Sequence, residues 1–206
     1  LPTTETPGAL PATSFIAGEI LVHRVIQSST GTEYLYVANG ITLSHTSDPL
    51  AASPTWTSIT VGGTTTSITS DGTNIYLGFD GVIVAEESVI GSSSTASSLD
   101  YSLPLSNSEW VAIDACPNGI YAAANTDHTG TVYYIGVNTT DGTLLTPVIA
   151  GSLPRNESIN AILSYGPILC LATSQGLRTA LIDVESGGIT IGSVIDTGGE
   201  AYSLEA

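Results

Sequence analysis

This chain has no methionine and no lysine, and only three arginines stand against 19 acidic residues. Its formal net charge is −16 and its isoelectric point about 4.1. A surface of that sign repels phosphate backbones and anionic headgroups, so neither nucleic acid nor an acidic membrane surface is an expected partner. The charged fraction of 11% is low for a protein adapted to high salt. No apolar run approaches the roughly 18 residues of a membrane span, so membrane insertion is not expected. Helical periodicity is missing too: no ten-residue window keeps apolar positions at helical spacing, and 22 glycines and 10 prolines are spread throughout. There are two cysteines, Cys116 and Cys170. A disulfide between them is one option; two buried free thiols, packed as small hydrophobes, is the preferred one.

What is present is a degenerate repeat. A small residue or valine followed by an aliphatic one recurs at Val25-Ile26, Ser67-Ile68, Ala112-Ile113, Ala161-Ile162 and Ser203-Leu204, with steps of 42, 45, 49 and 42. Units of this length with short β-rich runs point to a β-propeller of four-stranded blades. A β-sandwich or a β-helix is the main competitor. The second unit is the clearest: Thr65–Thr69, the turn Ser70–Asn74, Ile75–Gly78, the turn Asp80-Gly81, Val82–Ala85, a Ser/Thr-rich loop and Tyr101–Leu105. The fourth repeats the order with Ile159–Leu163, Ile168–Ala172, Leu177–Asp183 and Ile189–Ile195. Gly40, Gly81 and Gly176 fall at equivalent turns that call for positive φ. In the third unit Asn125–Gly130 reads as a longer loop, which accounts for the longer step. The chain divides into an arm or linker, residues 1–13, and blades over 14–206, with approximate units 19–63, 64–107, 108–156 and 157–200 and the start of a further blade at 201–206. Ser14–Gly18 and Ala201–Ala206 would be the outer and inner strands of a closing blade without its middle pair. Residues 1–206 are therefore expected to be part of a longer chain that carries at least two more strands.

The functional candidates are sparse. His23, His45 and His128 are far apart and without metal-ligand spacing, so they are expected at the surface or in loops. There is no Gly-x-Ser-x-Gly elbow and no phosphate-binding glycine loop. Three arginines clamp the substrate carboxylate in sialidase-like propellers, and Arg24, Arg155 and Arg178 are the three this chain could offer. Ser47-Asp48 through Thr55-Trp56 loosely resembles the Asp-box turn of those enzymes but lacks its glycine. Asp71, Asp80, Asp114, Asp127 and Asp141 lie in or near turns; turn formation outweighs calcium binding as their reading. Tyr34, Tyr36, Tyr76, Tyr121, Tyr133 and Tyr134 sit on second or third strands, either filling space between sheets or offering a face to a sugar, and Trp56 and Trp110 are expected between blades. Asn138 and Asn156 open glycosylation sequons. The expectation is a protein that is not an enzyme, with no catalytic, cofactor-binding or metal-binding residue. Its contact surface would be the loops Ser44–Thr55, Glu86–Ser98, Asn125–Thr131 and Gly151–Ser158, presented on one face.

The fourth unit runs Thr173-Ser174-Gln175-Gly176-Leu177-Arg178, then Gly187-Gly188-Ile189 and Ile195-Asp196-Thr197-Gly198-Gly199. This resembles propeller repeats in minor tail proteins of tailed bacterial and archaeal viruses. The resemblance covers about 45 residues well and the other units faintly; the third unit lacks the turn. It implies a structural virion protein of the tail, tail tip or fibre. The implied location is the extracellular virion, and the implied partners are other tail proteins in an oligomeric assembly, with a host receptor or glycan as a further contact. The alternatives are a secreted or cell-surface propeller for adhesion or carbohydrate binding, and a sialidase-like glycosidase.

Overall fold

The computed structural model describes residues 20–79, 82–86, 90–91, 95–100, 110–126, 129–138, 140 and 143–204. Among them the strands form four antiparallel four-stranded sheets, each a meander that follows chain order. Blade 1 contains β1 (Ile20–Ile26), β2 (Glu33–Asn39), β3 (Thr42–Thr46) and β4 (Thr57–Thr60). Blade 2 contains β5 (Ser67–Ser70), β6 (Ile75–Phe79), β7 (Val82–Glu86) and β8 (Thr95–Asp100). Blade 3 contains β9 (Trp110–Cys116), β10 (Gly119–Thr126), β11 (Thr129–Gly136) and β12 (Val148–Ser152). Blade 4 contains β13 (Ile159–Tyr165), β14 (Ile168–Thr173), β15 (Gly176–Ile182) and β16 (Ile189–Ile195). The first strands pack side by side in the order β1, β5, β9, β13, as the inner strands of a β-propeller do.

The second strands of blades 2 and 3 read apolar on both faces, because those two sheets are packed by a neighbouring blade on each side. One face of a blade, its leading face, meets the next blade; the trailing face meets the one before. Tyr36, Ala38 and Leu43 on the leading face of blade 1 pack on Ile75, Leu77 and Phe79 of blade 2. Tyr76 of blade 2 packs on Trp110, Ile120, Tyr133 and Ile135 of blade 3. Tyr121, Ala123 and Val132 of blade 3 pack on Ile162, Leu169, Leu171 and Ala180 of blade 4. Each fully buried side chain of this size contributes about 1.5–3 kcal/mol. Asp114 adds a polar tie between three first strands: its Oδ1 accepts from Thr69 Oγ1 at 3.1 Å, and its Oδ2 from Ser164 Oγ at 2.7 Å.

The structure corrects several expectations. The fourth strand of blade 2 is β8, at Thr95–Asp100, within the segment read as a loop. A Ser/Thr-rich outer strand carries no apolar alternation to betray it. In the third unit the β10–β11 connection is tight, since Thr126 and Thr129 are ladder partners. The extra length lies instead between β11 and β12, where Val137 bridges Leu144 and Asn138 N–H donates to Thr143 O. Ser44–Thr46 belongs to β3, and 201–204 form no strand, although Ala201 N–H donates to Thr173 O. The arm at 1–13, Ser14–Gly18 and residues 205–206 lie outside the described residues.

The meander also separates the proposed contact loops. Connections from first to second and from third to fourth strand lie at one end of a blade, here the hairpin end. Connections from second to third strand and from blade to blade lie at the other, the crossover end. The loops after β3 and β7 are therefore at the hairpin end, while those after β10 and β12 are at the crossover end. The four do not share a face.

Candidate functional site

At the hairpin end of the joint between blades 3 and 4 lies a cavity of about 340 Å³. The β9–β10 turn contributes Pro117 and Asn118, the β13–β14 turn Gly166 and Pro167, and the β15–β16 loop Asp183, Val184 and Gly187. The walls are Cys116, Tyr121 and Tyr134 from blade 3 and Ile182 from blade 4. The two tyrosine rings sit 5.3 Å apart at 46°. Their hydroxyls point away from the cavity's needs: Tyr121 donates to Gly187 O at 3.0 Å and Tyr134 to Asn118 O at 2.9 Å. Gly187 has φ +72°, and a Cβ there would fall on the Tyr134 ring. Glycine at this position lets the loop lie flat on the aromatic wall.

The cavity walls are uncharged and one carboxylate, Asp183, stands in the loop that borders them. Burial pushes the Cys116 thiol up, against opposing hydrogen bonds from the Asn118 and Gly119 backbone. Burial raises the Tyr134 phenol as well. Asp183 is held below the usual carboxylate range by the Ser186 hydroxyl and the Glu185 N–H, so the lining carries one carboxylate, whose charge adds to the burial that raises the Tyr121 phenol. A mainly apolar hollow with two aromatic walls suits an apolar group; the thiol stays protonated and is no nucleophile near neutral pH. A shallower, more polar hollow of about 520 Å³ adjoins it, shares Cys116 and Pro117, and is edged by Ser70, Asp71 and Thr73.

The crossover end of the same joint is closed. Glu157, 2% exposed, accepts Arg178 Nε and Nη2 at 2.8 Å each and the Thr173 hydroxyl at 2.7 Å. Arg178 Nη1 donates to Gly192 O, Gln175 N–H donates to Thr173 Oγ1, and Ser158 N–H donates to Ser174 Oγ. Gly176 sits at φ +124°, where a Cβ would lie 2.6 Å from Ile195 O. Each residue that stands out in the turn motif Thr173–Arg178 thus has a place in one latch that holds the blade crossing.

The other candidates scatter. Arg24 is on β1, bound to Glu33 at 2.6 Å in an exposed pair, Arg155 is exposed in the β12–β13 loop, and Arg178 is in the latch. The three-arginine clamp is not assembled. His23 is half-buried and His45 is buried beside Tyr36, so neither is a surface histidine; burial lowers the pKa of both. Asp71 is a turn residue, accepting Thr73 and Asn74 N–H and the Tyr76 hydroxyl. His128, Asp80, Asp127 and Asp141 lie outside the described residues, and among the described residues no metal-ligating group of three or more is found. Trp110 is wholly buried between blades 2 and 3, whereas Trp56 is half-buried ahead of β4. Cys116 and Cys170 are free thiols, one in the cavity and one on the opposite face of blade 4. The cavity itself was hidden in the sequence because its lining comes from three separate turns and loops; Tyr121 and Tyr134 were the one visible sign.

No family model and no curated protein matches the chain. Solved structures do. A putative 6-phosphogluconolactonase from Bacteroides fragilis matches with TM-score 0.60 and 18% identity over 93% of this chain and 59% of its own length. A periplasmic gluconolactonase from Pseudomonas aeruginosa matches with TM-score 0.64 and 14% identity over 90% and 56%. The β-propeller domain of Swd1 from Myceliophteria thermophila matches with TM-score 0.60 and 13% identity over 89% and 57%. The chain thus spans less than two thirds of these proteins. The expectation that this is not an enzyme is overturned here, because the scaffold it shares is one on which lactonases are built, and missing linear motifs do not exclude a site assembled from several blades. At such identities the likeness shows the fold, and the described chain is four blades of a β-propeller.

Proposed function

We propose that this protein is an interaction module of a viral tail or fibre, in which the pocket between blades 3 and 4 receives an apolar side chain from a neighbouring tail subunit or from a host surface molecule. The observation that carries the reading is the pocket's character: about 340 Å³, mainly apolar, with tyrosine walls and an exposed Val184 at its rim. Interfaces concentrate their energy where an aromatic or aliphatic anchor fills such a hollow. The turn motif of blade 4 supports the viral assignment through its resemblance to tail propeller repeats. Two measurements test the parts separately. Titration with N-acetyltryptophanamide is expected to shift the amide resonances of Asn118, Ile182 and Gly187, and Tyr134→Ala to remove the response; unmoved resonances would take the pocket out of the reading. Immunogold labelling of purified particles is expected to mark the tail, and unlabelled particles would end the viral assignment.

A second reading is lactone hydrolysis, favoured by the two lactonases whose structures align with 90% or more of this chain. Arg24 and Arg178 are each already held by a glutamate, which leaves little to bind a phosphorylated substrate. Acid release from glucono-δ-lactone above the spontaneous rate, abolished in one of the site variants, would establish this reading in place of the first.

A further inference from the structure

The β9–β10 turn stands as a ridge between two hollows. Cys116 and Pro117 line both: the apolar cavity toward blade 4, and the polar hollow of about 520 Å³ toward blade 2. Carboxylates border each side. Asp71 edges the polar hollow with Ser70 and Thr73, and Asp183 borders the apolar one. Nothing in the chain offsets them. It has three arginines and no lysine. Arg24 is tied to Glu33 on blade 1, while Arg178 and Arg155 lie at the crossover end, in the latch and in the β12–β13 loop. None lines either hollow. The charges felt along the ridge have one sign. After burial, the main cause, Asp71 raises the Tyr76 phenol, Asp183 the Tyr121 phenol and Asp114 the Cys116 thiol.

The bonding of Asp71 selects what it attracts. Its Oδ1 accepts Thr73 and Asn74 N–H at 2.8 and 2.7 Å, and its Oδ2 accepts the Tyr76 hydroxyl at 2.7 Å and Asn74 Nδ2 at 3.4 Å. These bonds fill the roughly four acceptor sites of a carboxylate. A sugar hydroxyl finds no vacant acceptor there. A cation is still drawn, because only neutral donors meet the charge.

We propose that the two hollows form one bipartite site for an extended polypeptide segment of a partner: an apolar side chain enters the cavity between blades 3 and 4, and a lysine or arginine two residues away crosses the ridge into the polar hollow beside Asp71. It rests on the cavity being an anchor site, as proposed above, and adds the charge of the partner. Stacked sheets lie about 10 Å apart, and residues i and i+2 of an extended segment about 7 Å apart; the long stem of a basic side chain spans the remainder. The net charge of −16 favours encounter with a basic segment and repels an acidic one.

Nuclear magnetic resonance titration of the full chain tests it with three probes: N-acetyl-Trp-Gly-Lys-amide, N-acetyl-Trp-Gly-Gln-amide and maltose. The lysine peptide is expected to shift Thr73 and Ala115 together with Asn118, Ile182 and Gly187, and to bind about tenfold more tightly than the glutamine peptide. In about 0.5 M salt that advantage should largely vanish. Asp71→Asn keeps an acceptor for the turn N–H groups and should remove the advantage while leaving the glutamine peptide's affinity unchanged. The salt series on the unaltered chain decides the matter should the variant not fold. If both peptides shift Asn118, Ile182 and Gly187 with equal affinity, this inference falls and the anchor cavity stands. If neither peptide shifts them, the cavity reading falls and this inference with it. Thr73 and Ala115 answering to maltose and not to lysine would make the polar hollow a glycan site and overturn the proposal.

Discussion

The two ends of one joint teach different lessons. Between blades 3 and 4 the crossover end is shut by a buried ion pair in which Glu157 and Arg178 keep 3% and 13% of their side-chain surface. The hairpin end, a blade's height away, is held open by turns around a mainly apolar cavity. The same two sheets are therefore pinned at one end and accommodating at the other. The pinned end consists of residues that must all be present together, and it reads as a motif. The open end consists of residues that share little except their position at chain reversals.

The largest effect is expected at the pinned end. Glu157→Gln leaves the Arg178 guanidinium buried without a counter-charge, at a cost of about 3 kcal/mol. Urea denaturation should show it, and the double variant Glu157→Gln/Arg178→Met should recover most of the loss. If the single variant is silent, the latch is not what fixes the crossing. A smaller effect is expected at the open end. Gly187→Ala places a methyl group against the Tyr134 ring at positive φ and should cost about 1–2 kcal/mol. Its sharper signature is a changed near-ultraviolet tyrosine spectrum together with loss of probe binding. Intact binding in Gly187→Ala would mean that the ring and the loop are not in contact.

The fold was legible wherever a blade's strands are sandwiched. Most of β6, β14 and β15 stands out because these middle strands are rich in apolar residues and bounded by turns, while the outer strand β16 stands out by its isoleucines although most of it is exposed. β8 was illegible because an outer strand of Thr, Ala and Ser needs no apolar pattern. Turn chemistry misled at Asn125–Gly130, where Asn125 looks like a loop residue but its side chain pairs with the Ile159 backbone in both directions, 2.8 Å each way, across the joint. The pocket stayed hidden for a geometric reason. Tyr121 and Tyr134 are 13 positions apart and meet Pro167 and Gly187 only when two blades stack, which no local spacing encodes.

The two ends should also fail at opposite limits of pH. At the crossover end, hydrogen bonds from Arg178 hold the Glu157 carboxyl below its ordinary 4.5. The unfolded chain binds the proton more readily, so this stability is present above pH 4.5 and is lost as pH falls through the folded value. At the hairpin end, burial holds Cys116 above its ordinary 9.0 and Tyr134 above 10.0. There the folded state keeps its protons longer, and stability present below those values is lost as pH rises through the folded ones. Melting temperature against pH should therefore have an acid limb flattened by Glu157→Gln and an alkaline limb flattened by Tyr134→Phe. A single variant that flattened both limbs would show that the two ends are not independent.

The smallest expected effect tests how tightly the latch grips the chain beside it. Asn156 precedes Glu157 and has φ +65°, a left-handed conformation that asparagine tolerates and alanine resists. Its side chain is exposed, so substitution removes no packing. Asn156→Ala should cost about 1 kcal/mol, whereas Asn156→Gly should sit near zero because backbone relief offsets the entropy glycine loses on folding. The difference between the two variants, read from urea midpoints, isolates the backbone conformation from everything else at the site. Equal midpoints would mean that the chain relaxes out of the left-handed region while Glu157 stays in place, and that the latch fixes a side chain without fixing the loop that carries it.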